Sequence, residues 1–81
     1  MPTPRQRQPN ARQLQERREV GDRIRFLRRQ QSVSQERLAE MIGRDRQSVS
    51  NWERGATAPT LDDLGAMARA LSVPTWRLLY G

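Results

Sequence analysis

Apolar residues recur at helical spacing along most of the chain, in groups separated by glycine, proline and capping residues. Val20, Ile24 and Leu27 fall on one face, with polar Gln31 completing the row and Leu14 an outlying apolar position upstream. Asn10 is a candidate N-cap for this first helix, which its composition carries to about Gln31. The polar Arg17-Arg18 pair and Gly21 allow a break or frayed turn near Gly21. Ser34 caps a second helix, Gln35 to Ile42, with Leu38, Ala39 and Ile42 facing inward. Arg37 stands where a capping box needs Glu or Gln, so that cap is half of the motif. Gly43 follows where a helix ends in a left-handed residue. Asp45 caps a third helix, Arg46 to Arg54, with Val49 and Trp52 inward and Gly55 at its end. Thr60 caps a fourth, whose apolar set is Leu61, Leu64, Met67, Ala68 and Leu71, and Asp63 completes a Thr-x-x-Asp box. Pro74, in a first-turn position, leads Trp76, Leu78, Leu79 and Tyr80 into a short fifth helix. The pattern predicts an all-α, five-helix domain over residues 16–81. Residues 1–15 are expected as a flexible basic arm, since residues 1–9 hold three prolines and no apolar periodicity.

Eighty-one residues allow one small domain. Such a chain buries only about 60–65% of its unfolded surface, so its core must be economical. The absence of Cys and His excludes disulfides, zinc fingers, thiol nucleophiles and imidazole chemistry. The adjacent acids Asp62 and Asp63 are explained by a helix start, and no Gly-rich phosphate loop occurs. Neither an enzyme nor a cofactor is expected. No apolar run approaches the ~18 residues of a membrane span, and no apolar leader follows Met1, which points to a cytoplasmic protein.

The charge changes the picture more. Every one of the 15 basic residues is Arg, and the net charge is +6. Residues 1–31 hold nine Arg against Glu16, Glu19 and Asp22, a net of +6, while residues 32–81 balance six Arg with six acids. A basic arm beside a near-neutral domain fits attraction to nucleic-acid phosphates.

The stretch from Gln35 to Trp52 carries the function. Two short helices joined steeply need a small residue at the crossing, Ala39, and a left-handed turn residue, Gly43, which would cost another residue about 1 kcal/mol. They also need an apolar wedge, Val49, to set their angle. These positions are four and six residues apart. With SQERLAEMIG, SVSNWERG, the Pro59 segment and LSVPTWRLLYG in this order, the chain resembles the Cro and lambda-repressor-type helix-turn-helix family, also called the xenobiotic-response-element family. The resemblance runs from Val20 to Gly81, about three quarters of the chain.

That resemblance implies a lambda-repressor-like, DNA-binding domain and roles by position. Gln35 would donate to a phosphate at a helix N-terminus. Gln47 would read adenine through a two-point amide contact, and Arg46 would reach guanine or a phosphate. Ser50 and Asn51 would touch the next base pairs, and Arg44 and Ser48 the backbone. Arg54 and Thr57 match positions on the sugar-phosphate path. Arg28 and Glu53 match a partly buried ion pair joining the first and third helices. For Arg44 the bland alternative is a surface pair with Asp45 or Glu40, and for Ser48 a cover over the interhelix surface. Phe26, usually polar in the family, and the extension before Val20 depart from the pattern. The implied activity is transcriptional regulation, as a repressor acting as a homodimer on an inverted repeat in double-stranded DNA. Trp76, Leu79 and Tyr80 are the candidate pairing surface. The alternatives are an antitoxin or adaptor that binds a protein partner, or a non-specific nucleoid-type binder.

Overall fold

The computed structural model describes residues 8–80. Five helices run in the order α1 (Ala11–Gln30), α2 (Gln35–Ile42), α3 (Arg46–Glu53), α4 (Leu61–Ala70) and α5 (Trp76–Tyr80), with no strand among the described residues. Residues 1–7 of the expected arm lie outside the described residues. The helix capped at Asn10 is present as expected, so residues 11–15, also expected within the arm, belong to α1 instead.

A complete capping box explains that early start. The Asn10 side chain accepts from the Gln13 backbone N–H at 2.8 Å, and the Gln13 side chain accepts from the Asn10 N–H at 2.9 Å. The pairs Arg12–Glu16 and Gln15–Glu19 then support the polar turns at i,i+4 spacing. Nor does Gly21 break the helix. It marks the point where α1 crosses the end of α3. A Cβ added there would lie 2.3 Å from the Trp52 carbonyl oxygen and 2.7 Å from that of Glu53. The missing side chain costs about 1 kcal/mol of helix propensity and permits a backbone-to-backbone approach no other residue allows.

Four helices end alike. In each, the N–H just after a left-handed residue bonds back to a carbonyl in the last turn: Val33 to Arg28, Arg44 to Ala39, Ala56 to Asn51 and Val73 to Ala68, all at 2.9–3.0 Å. The left-handed residues that permit this are Ser32, Gly43, Gly55 and Ser72.

The core is formed by Ile24 and Leu27 of α1, Leu38 and Ala39 of α2, Val49 and Trp52 of α3, and Leu64, Met67 and Ala68 of α4. Leu71 and Leu78 complete it. Leu61, expected in the α4 apolar set, is instead 71% exposed, because the first helical position precedes the inward stripe. α3 packs on α1 and α2, α4 backs α2, and α5 lies against α1 and α4. Arg23 anchors the end of α5 by donating to the Leu79 carbonyl at 2.6 Å. Trp76, Tyr80 and Phe26 remain exposed.

Candidate nucleic-acid interface

α3 is set between its neighbours by short-range chemistry. The Asp45 side chain accepts from the Ser48 N–H at 2.8 Å and starts the helix. Gly43 turns the chain with φ 71°, and fully buried Val49 and Ala39 fill the crossing with α2. The inward side ends in a buried polar cluster. Glu53, 2% exposed, receives Arg28 in a forked pair, Nε to Oε2 at 2.7 Å and Nη2 to Oε1 at 2.9 Å. Gln35 donates to the same Oε1 at 3.0 Å, and Arg25 lies 3.5 Å from it. Burial alone would raise the Glu53 carboxyl. The Arg28 and Gln35 hydrogen bonds, with the charges of Arg28 and Arg25, outweigh burial and hold it below the ordinary glutamate range. Arg28 is held further in its charged form, chiefly by its hydrogen bond to Glu53. No buried side-chain polar atom among the described residues lacks a partner.

The opposite side of α3 faces solvent. Arg46 and Gln47 are exposed, and Ser50 and Asn51 half-buried at its edge. Gln47 donates to Asn51 Oδ1 at 3.0 Å, and Arg54 donates to the same oxygen at 2.6 Å. Gln47, Asn51 and Arg54 therefore form one row along the helix. The shared acceptor leaves the Gln47 carbonyl and the Asn51 amide N–H groups without a side-chain partner among the described residues, a donor–acceptor set of the kind that reads base edges. Thr57 is exposed in the loop beyond.

Arg44 stands apart from this row. Its Nη1 bonds Asp63 Oδ1 at 2.8 Å, its Nη2 donates to Ser48 Oγ at 3.3 Å, and the guanidinium carbon lies 5.1 Å from the Trp52 ring centroid. The partner is Asp63 on α4 rather than Asp45 or Glu40. Burial would raise the Asp63 carboxyl, but its bonds to Thr60 and the nearby Arg44 charge outweigh that and lower it. Asp45 is lowered chiefly by its hydrogen bonds to Ser48.

The structure thus brings Gln35, Arg28 and Glu53 into one cluster, and Gln47, Asn51 and Arg54 into another. Ser48 joins Arg44 beside α4, and Arg46, Ser50 and Thr57 stand without side-chain bonds among the described residues. Sequence reasoning missed Arg25, Gly21 and Asp63 as positioning residues. Arg25 and Gly21 are legible afterwards, since they precede Arg28 by three and seven residues on the same side of α1. No local signal joins Arg44 to Asp63.

Comparisons with known proteins agree with this architecture. The helix-turn-helix family model matches residues 24–75. The transcriptional regulator DicA of Escherichia coli (strain K12) is 40% identical over 63 residues, covering 76% of this chain and 46% of that protein. Repressor protein C2 of Salmonella phage P22 is 36% identical over 62 residues, covering 76% of this chain and 29% of that protein. The chain spans less than half the length of these curated relatives. The solved P22 c2 repressor, in complex with a synthetic operator, superposes with a TM-score of 0.72 at 35% identity, covering 76% of this chain and 94% of that one. The restriction-modification controller protein C.AhdI from Aeromonas hydrophila superposes with a TM-score of 0.77 at 34% identity, covering 79% and 97%.

Proposed function

Because the chain belongs to the helix-turn-helix family of Cro- and C1-type regulators, we propose that it is a sequence-specific DNA-binding transcriptional regulator that acts as a repressor. The observation that carries this reading is the outward row of α3, Gln47, Asn51 and Arg54, held clear of a core that fixes the helix from its other side. On DNA, Gln47 takes adenine through its amide, and Arg46 takes guanine or a phosphate. Ser50 and Asn51 touch the neighbouring base pairs. Gln35 gives one amide N–H to Glu53 and turns the other toward a phosphate at the start of α2. Arg54 and Thr57 hold the sugar-phosphate backbone beyond α3. Arg44 and Ser48 border the phosphate path at its other end, with the Arg44 guanidinium steadied by Asp63.

One such helix reads about 4–5 base pairs, so useful specificity calls for two copies about 10 base pairs apart on an inverted repeat. Exposed Trp76 and Tyr80 on α5, beside half-buried Leu79, supply the pairing surface for a homodimer. Selection of bound duplexes from a random pool at ~150 mM salt tests both parts. An enriched inverted repeat is expected. A single half-site would remove the dimer, and an unenriched pool would remove sequence-specific reading in favour of non-specific binding.

A further inference from the structure

The family match begins at residue 24, and nothing in the reading above uses the N-terminal half of α1. We infer that Arg17 and Arg18 form a second DNA-contacting element, which binds the phosphates flanking the segment read by α3. This inference rests on the proposed role of α3.

Placement comes first. A Cβ added to Gly55 would lie 2.8 Å from Arg18 Cγ and 3.1 Å from the Arg18 backbone nitrogen, so α1 passes directly against the turn that ends α3. Arg17 lines one cleft with Ala58 and Pro59 of the α3–α4 loop. Both side chains therefore stand beside the loop that carries Thr57 and follows Arg54, the residues assigned to the sugar-phosphate path.

Availability comes second. Arg12 is paired with Glu16, Arg23 holds the Leu79 carbonyl, and Arg25 and Arg28 share Glu53. Arg17 and Arg18 enter no ion pair or side-chain hydrogen bond among the described residues. Of the acids nearby on α1, Glu16 lines the same cleft but is taken by Arg12, and Glu19 accepts from Gln15. Asp22 is exposed one turn beyond Arg18. The two unpaired guanidiniums sit on a helix capped at Asn10 and locked at Gly21, so binding has side chains but no backbone to order. A sequence-independent partner of opposite charge, the phosphate backbone, is what they fit.

The test is the salt dependence of binding to the duplex recovered by selection, between 50 and 200 mM salt. Arg17→Gln/Arg18→Gln should lower the slope of log K against log salt by about 1.8, two phosphates at about 0.9 each. Affinity for selected and scrambled duplexes should fall by the same factor, leaving their ratio intact. Arg17→Lys/Arg18→Lys should restore the slope, and Arg69→Gln, on the α2–α4 groove, should leave it unchanged. The single variant Arg18→Gln, at an exposed position, should lose half the effect with the fold retained. A wild-type slope in the double Gln variant, or the same loss with Arg69→Gln, overturns the inference while leaving α3 as the reader. Failure of the wild-type protein to prefer any duplex overturns both.

Discussion

The two sides of α3 carry similar polar chemistry in opposite circumstances. On the inward side, Glu53 is bonded to residues of α1 and α2, so its partners come from 18 and 25 positions away. On the outward side, Gln47, Asn51 and Arg54 bond only to one another, three and four residues apart. The first arrangement ties the helix to the body and cannot be released without leaving a buried charge. The second can be exchanged for base edges or phosphates at little cost, because solvent or DNA offers equivalent partners. A reading helix needs both: a fixed axis and an uncommitted face.

The largest effect should come from breaking the inward side. Glu53→Gln leaves Arg28 buried without its counter-charge and should destabilise the fold by about 3–5 kcal/mol in urea denaturation. It should also flatten the acid limb of stability. The Glu53 carboxyl lies below its unfolded value, so its contribution is complete above the ordinary glutamate range, near 4.3, and is lost as pH falls through the folded value. Stability of the wild type that did not fall more steeply than that of Glu53→Gln below about pH 4 would show the carboxylate to be unimportant.

Gly21→Ala tests the crossing itself. Helix propensity favours Ala by about 1 kcal/mol, yet the added methyl meets two backbone carbonyls that cannot turn aside. A net loss of about 1–3 kcal/mol is expected, readable in the same denaturation experiment, and a gain would mean that α1 does not approach α3 as closely.

The outward side should respond in binding rather than in folding. Gln47→Ala should move stability by less than about 0.5 kcal/mol, as exposed substitutions do. It should relax preference at one base pair per half-site by about 1–3 kcal/mol, measured on single-substituted duplexes. A uniform loss across all duplexes would make Gln47 a backbone contact.

The smallest effect belongs to the helix ends. Ser72 holds φ 57° where Gly43 and Gly55 do the same job without a side chain. Ser72→Gly should raise stability by about 0.5–1 kcal/mol in thermal or urea unfolding, the left-handed cost outweighing the extra freedom of the unfolded glycine. No change would show that the Ser72 left-handed conformation carries no cost.

Much of the fold was legible because the signals are short-range. Ser34, Asp45 and Thr60 each cap the helix they precede, and the Thr60–Asp63 box closes within four residues. Gly43 ends α2 for a reason visible in its own backbone, and the apolar spacing of Ile24, Leu27, Val49, Met67 and Leu78 marks the inward faces. The candidate site was legible only as far as the family pattern reached. That pattern names the positions of Arg46, Gln47 and Asn51, but not the row in which Asn51 Oδ1 serves two donors.

What the sequence by itself determined is therefore the helices, their caps and which face of each is apolar, because each depends on neighbours within one or two turns. The α1 capping box shows the limit of that reading. Asn10 is legible as its cap, yet the domain boundary is expected only at residue 16, while the helix begins at Ala11. Only the tertiary structure decided that Gly21 is a crossing rather than a break, that Leu61 lies outside the core, and that Arg44 reaches Asp63. It alone places Arg17 and Arg18 beside the α3–α4 loop. Each of these is a contact between elements docked from distant parts of the chain, and no local propensity encodes which atoms such docking brings within reach.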